Sequence, residues 1–159
     1  MVTKNAGMGV LVLSALAVLA GCADTGSLSG AGQPVAGATA TKSLYDRLGG
    51  KPAITAVVDQ FVANVAADGR INSRFATTDI PKLKGHLVDQ VCSATGGPCS
   101  YRGRDMKSMH LGMRISSGDF GALVQDLVAA LDKFNVPAGE KGELLGLLGP
   151  MKKDIVEVP

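Results

Sequence analysis

The two histidines of the chain, His86 and His110, lie in one stretch that runs from Lys82 to Met113 and reads KLKGHLVDQVCSATGGPCSYRGRDMKSMHLGM. Each sits in an apolar helical pattern, one on either side of the Gly96-Gly97-Pro98 break. Imidazole is the commonest metal ligand among side chains. Two of them facing one another across a small helical core would hold a metal or a haem iron between them. His110 follows Met106 and Met109 and precedes Met113, the i, i+3, i+4, i+7 spacing that sets all four on one helix face. Methionines make an adaptable apolar wall suited to a flat hydrophobic cofactor, although a methionine stripe at helical spacing is equally ordinary core. His86, between Leu83 and Leu87, lies on the inner edge of the preceding helix, where a neutral imidazole can coordinate iron. The bland alternative is a partly exposed histidine beside Lys84. On pattern alone both histidines stay open between ligand and ordinary core residue.

Other chemistries find little support. There is no H-E-x-x-H, no paired-cysteine zinc spacing and no glycine-rich phosphate loop after a strand. A Ser-His-Asp triad has no strand-turn-helix nucleophile context. The net charge is only +2 and the short basic runs read as solvated helix edges, so no nucleic-acid partner is expected.

The elements that must position these residues read as helices throughout. Ser43 to Leu48 has the spacing of a short helix stopped by Gly49-Gly50, and Pro52 stands in the first turn of the next. Ile54, Val57, Val58, Phe61, Val62 and Val65 then form a clear amphipathic stripe that ends at Asp68-Gly69. An irregular connection holding Phe75 leads to Asp79, a plausible N-cap with Pro81 behind it, and a helix to about Thr95. Ser116 to Asn135 is the strongest helix, with a cap-like Ser116 and Asp119 and a core face from Phe120 to Phe134. The last helix carries Leu144, Leu148, Met151 and Ile155 and is weakened or kinked at Gly149-Pro150. No run alternates with period two. The expected fold is all-α, with roughly 115 residues in one hydrophobic core.

The N-terminus has a different character. Lys4 precedes an apolar run from Met8 to Ala20, too short to cross a bilayer as a helix, which needs about 20 residues. It fits the apolar region of a secretory signal peptide. The run ends in Leu19-Ala20-Gly21-Cys22, which resembles the bacterial lipobox, so residues 1–21 are expected to be a lipoprotein signal and Cys22 the lipidated residue. The plain alternative is an ordinary signal peptide with a nearby cysteine. Ala23 rather than Asp follows, which in lipobox proteins favours the outer over the inner membrane. Residues 22–42, rich in Gly, Ala, Ser and Thr, form a flexible tether reaching roughly 24 Å from the membrane. In an exported protein Cys92 and Cys99 suggest a disulfide between the end of the His86 helix and the loop towards His110; the alternative is two reduced cysteines.

Taken in order, residues 43–157 resemble the group 1 truncated haemoglobins. The resemblance rests on S-L-Y-D-R-L-G-G at Ser43–Gly50, V-V-D-Q-F at Val57–Phe61, A-D-G-R-I at Ala67–Ile71, Phe75 and K-L-K-G-H at Lys82–His86. It continues in G-G-P at Gly96–Pro98, Tyr101, M-K-S-M-H at Met106–His110 and D-F at Asp119–Phe120. It implies a two-over-two helical sandwich around haem b, with His110 as the proximal iron ligand. It also implies that Phe75 packs on the porphyrin face, that Tyr101 and Met106 line the haem or its propionate edge, and that Lys82 is a candidate propionate partner.

The distal side departs from the family pattern. Group 1 members commonly carry a Tyr where this chain has Val62, and glutamines on the distal helix where it has Leu83 and Leu87. Without those donors oxygen should be retained poorly. Some cyanobacterial members have a distal-helix histidine that binds the iron directly, and His86 falls at that position. It is the only polar group the sequence places beside the iron. The expectation is a globin binding oxygen, nitric oxide or carbon monoxide, with a bis-histidyl iron and a role in electron transfer or nitric oxide chemistry. Any enzymatic turnover, such as nitric oxide dioxygenation, would require an external electron donor. The second reading is a haem-free, membrane-tethered interaction module on the same scaffold. Either would sit on the periplasmic side of a membrane.

Overall fold

The computed structural model describes residues 42–159; the expected signal segment, Cys22 and almost all of the expected tether lie outside the described residues. Among the described residues seven α-helices follow in order: α1 Leu44–Arg47, α2 Gly50–Ala67, α3 Ile80–Ala94, α4 Met106–His110, α5 Ser117–Lys133, α6 Ala138–Leu148 and α7 Lys152–Ile155. There is no strand among them, only an isolated bridge between Ser116 and Val158.

Most helix starts are made by side chains that accept from amides the helix itself leaves unpaired. Ser43 accepts from the Asp46 amide at α1, Asp79 from Lys82 at α3 and Asp105 from Ser108 at α4. Ser116 and Asp119 cap α5 reciprocally, each side chain bonded to the other's backbone amide. The α1–α2 junction works differently. Gly49 and Gly50 take φ of +93° and +72°, left-handed values that other residues rarely adopt, so α2 begins two residues before Pro52.

The central element is α2, which packs against both α3 and α5. Its stripe of Ile54, Val58, Phe61, Val62 and Val65 is buried in one cluster with Val88 and Cys92 of α3 and Ala122 and Ala130 of α5. Leu44, Leu131 and Leu144 form a second cluster that joins α1, α5 and α6. Full burial of each large aliphatic contributes about 1.5–3 kcal/mol, so packing rather than capping holds these helices together.

Two positions depart from the pattern reading. The α4 helix stops at His110, because Leu111 turns extended with ψ of 126° and Gly112 takes φ of +81°. Met113 therefore lies beyond the helix, 48% exposed, instead of sharing one helical face with His110. Phe134, expected on the core face of α5, is the residue just past its end and is 44% exposed. The final helix is divided by a 3-10 turn, Gly149–Met151, at the proline that cannot supply a helical amide. Cys92 and Cys99 are joined in a disulfide that ties the last turn of α3 to the loop before α4.

Candidate functional site

Three apolar cavities meet at His110. The largest, about 230 Å³, is lined by His86, Gln90 and Tyr101 together with Met106, Met109 and Phe120, among others. A second of about 180 Å³ reaches Phe75 and Met113, and a third of about 200 Å³ lies among Phe61, Val62, Phe75 and Leu87. Leu83, His110 and Leu123 line all three, so they are compartments of one interior space. Together they reach the size of small-molecule cofactor sites, about 300–1,000 Å³.

His110 is the last residue of α4. Its Nδ1 lies 2.7 Å from the Met106 carbonyl oxygen one turn back. A carbonyl only accepts, so Nδ1 carries the proton and Nε2 keeps its lone pair for a Lewis acid. A five-residue helix has little stability of its own, and its neighbours fix it. Asp105 caps its start through the Ser108 amide at 2.9 Å. Beyond its end, Arg74 donates to the Met113 carbonyl at 2.7 Å and to Asp119 at 2.8 Å, fastening the segment to the start of α5. Glu157, near the C-terminus, accepts from the amides of Gly112 at 2.7 Å and Arg114 at 2.6 Å. Those amides hold the Glu157 carboxyl below its usual range, as the Ser116 amide does for Asp119 and the Ser108 hydroxyl for Asp105.

A further part of the lining comes from α3 and the loop that follows it. Leu83, His86, Leu87 and Gln90 face the interior at helical spacing. The Tyr101 ring meets His86 edge-on, with centroids 6.2 Å apart and planes at 72°, and its hydroxyl donates to the Arg104 carbonyl at 2.9 Å. Burial, helped by the Asp105 charge, pushes that hydroxyl's pKa up. Gln90 donates to the Met151 sulfur at 3.3 Å and approaches the Met106 sulfur at 3.7 Å.

Of the residues singled out from sequence, His110, His86, Phe75, Leu83, Leu87, Tyr101 and Met106 all border this space. Lys82 does not; it is exposed in the first turn of α3. His86 is not the only polar side chain there, because Gln90 one turn further along α3 lines the same cavity. The sequence pattern sets Gln90, like His86, on or beside the apolar stripe of α3, but does not place it beside the iron. Arg74 and Glu157, which secure α4 from distant points of the chain, have no local signal at all.

The donor set fits one kind of group. Among the described residues no three His, Cys, Asp or Glu side chains come together to hold a bare ion. The His110 imidazole with its free Nε2, and the His86 imidazole on the same apolar cavity, suit a metal that arrives with donors of its own in a macrocycle, as haem iron does.

Comparisons agree with that chemistry. The family model of the bacterial-like globins matches residues 43–157. A group 1 truncated hemoglobin of Mycolicibacterium paratuberculosis is 37% identical over 71% of this chain and 83% of its own length; one from Nostoc is 34% identical over 72% and 97%. The chain belongs to the group 1 truncated haemoglobins. Among solved structures, the truncated hemoglobin of Tetrahymena pyriformis in its Fe(III) form superposes with a TM-score of 0.70 at 30% identity, over 72% of this chain and 98% of that one. The 2/2 hemoglobin of a Synechococcus, in the cyanomet state with covalently attached heme, gives 0.69 at 31% over the same shares. This truncated haemoglobin is thus an all-α, two-over-two globin, a haem-binding protein for diatomic gases, and the haem-free interaction reading is not favoured.

Proposed function

We propose that this globin binds haem b with His110 as the proximal iron ligand and His86 as the ligand on the other side, and that it serves in electron transfer or nitric oxide chemistry. The observation that carries this reading is that His86 and His110 line the same cavity of about 230 Å³. Haem supplies an iron centre that binds oxygen, nitric oxide or carbon monoxide and can change oxidation state. The chain's own residues set how that centre is used. The Met106 carbonyl keeps the His110 proton on Nδ1 and so presents Nε2. Phe75 would pack its ring against the cofactor, and Met106 and Tyr101 would line the cavity beside it. Val62, Leu83 and Leu87 exclude water and offer no hydrogen bond, which does little to retain oxygen. Of the other polar side chains on the cavity it shares with His86, Gln90 is engaged by two thioethers and the Tyr101 hydroxyl by the Arg104 carbonyl. His86 is left as the group able to occupy the open side. Turnover of either kind draws on an external electron donor.

The proposal includes location. Residues 1–21 act as a lipoprotein signal, Cys22 carries the lipid, residues 22–42 are the tether, and the globin at 43–157 stands on the periplasmic side, the outer membrane being the favoured one. The decisive experiment on the site is spectroscopic. Haem-loaded wild-type protein, reduced without added ligand, should show sharp, resolved low-spin visible bands, and His86→Ala should abolish them. A five-coordinate, high-spin spectrum in the wild type would sink the bis-histidyl assignment.

A further inference from the structure

The loop between α3 and α4 holds Tyr101 more firmly than a surface loop requires. Three separate features converge on it. Cys99, two residues before it, is cross-linked to Cys92, which is fully buried in the main core, so the root of the loop cannot move away from α3. The Tyr101 hydroxyl bonds the Arg104 carbonyl three residues on. Gly103 lies directly under the ring: a Cβ there would stand 2.2 Å from the hydroxyl oxygen and 2.3 Å from the adjoining ring carbon, so only glycine permits this approach. What the held ring touches is His86, edge-on at 6.2 Å.

We infer that Tyr101 is a positioning residue for His86, a buttress set by Gly103 and the Cys92–Cys99 cross-link that limits the imidazole to orientations facing the interior cavity. The physical argument concerns space and rotamers. His86 is partly buried on a regular helix, where its χ1 has few allowed wells, and its ring plane is the remaining freedom. An aromatic edge fixed on one side removes part of that freedom, and an edge-to-face pair adds a preference for one ring plane. The Tyr101 hydroxyl faces away, towards Arg104, so the contact with His86 is made by the ring. Its consequence for iron binding rests on the proposed bis-histidyl reading; the placement of the ring does not.

The test uses the full chain loaded with haem. In the carbon-monoxide-saturated ferrous protein, which is diamagnetic, the nuclear Overhauser contacts of the His86 ring protons to side chains lining the cavity should persist in Tyr101→Phe and be lost in Tyr101→Ala. Gly103→Ala should act like Tyr101→Ala by displacing the ring, and Tyr101→Leu, which keeps apolar bulk, guards against a variant that merely folds badly. In the ligand-free protein Tyr101→Ala should lower the ratio of low-spin to high-spin haem about two- to tenfold, the range an aromatic pair supplies, with Phe restoring it. The rate of carbon monoxide association should rise in Tyr101→Ala but show no further rise in the His86→Ala background. Equal effects in both backgrounds would mean that Tyr101 acts on carbon monoxide entry only as part of the cavity wall and not through His86, and would overturn the inference. So would His86 ring contacts to the cavity that survive the loss of the Tyr101 ring in well-folded Ala and Leu variants. If His86→Ala leaves the wild-type spectrum unchanged, the bis-histidyl reading fails by itself, and those contacts still decide whether Tyr101 holds His86.

Discussion

Asp126 on α5 has one carboxylate oxygen buried without a hydrogen-bond partner among the described residues, while its backbone carbonyl accepts from Asn64. Burial pushes its pKa up and the Asp68 charge adds to this, with Arg70 partly opposing. A carboxyl raised in the folded state favours the fold fully below its unfolded pKa, about 3.9, and loses that contribution as pH rises through the folded value. Asp126→Asn should therefore raise the melting temperature at pH 7, and the gain should shrink to nothing as the pH falls below about 4. A gain that persists at low pH would show that charge is not the cause. At this scale the site is only partly legible in the sequence. His110 was legible because a family motif and an apolar methionine neighbourhood coincide on it. The tautomer that frees its Nε2 was not, since it depends on where the Met106 carbonyl points. Gln90 has the right spacing from His86, yet spacing alone does not separate a cavity wall from a solvated helix edge.

The short helix α4 shows how an element acquires a stability its own residues lack. Glu157 binds two amides just past its end and so ties the C-terminus to the segment carrying His110. Its carboxyl is held low by those amides; such a group stabilises the fold above its unfolded pKa, about 4.3, and ceases to as pH falls through the folded value. Glu157→Gln should lower the melting temperature and speed haem loss near neutrality, and the difference from wild type should close on acidification. A gap that stays constant down to strongly acid pH would rule this account out. The cross-link at the end of α3 is a second such device. Closing a loop this short removes unfolded-state entropy worth about 2.5 kcal/mol. Cys92→Ser with Cys99→Ser should lower the melting temperature by roughly 8–12 °C, and reductant should do the same to the wild type. A reductant that leaves the melting temperature unchanged would mean that the bridge contributes nothing. The long helices were readable because periodic apolar stripes and capping residues agree at α2, α3 and α5. The ends of α4 and α5 were not, because periodicity continues through Met113 and Phe134 while the backbone has already left the helix. What stops it is tertiary: Arg74 and Glu157 hold the segment beyond α4 in a shape no neighbouring residue encodes.

At the scale of the whole molecule the question is what a gas- and haem-binding domain would gain from the proposed lipid anchor. The proposed tether, residues 22–42, would keep the domain within roughly 24 Å of the bilayer. Oxygen and nitric oxide partition into lipid, and a membrane-bound electron donor would lie within the same reach. Confinement would raise the effective concentration of both without any new contact on the domain. The proposal separates two properties that can be tested apart. Anchoring would depend on Cys22 and the apolar run before it, whereas the cavity is lined wholly by residues after Ile54. In the source cells, fed with labelled palmitate, the wild-type chain should take up label and enter the detergent phase on separation. Cys22→Ser should lose the label. Haem-loaded chains with and without Cys22 should nevertheless have superimposable visible spectra and the same rate of carbon monoxide association, since no residue of the pocket changes. The proposed role predicts a third result in intact cells, where reduction of the haem should be slower for the unanchored chain although the isolated proteins are reduced alike by dithionite. An unlabelled wild type, or label retained by Cys22→Ser, would remove the anchor. A spectrum altered by Cys22→Ser would mean that the N-terminal segment touches the globin and that tether and pocket are not independent.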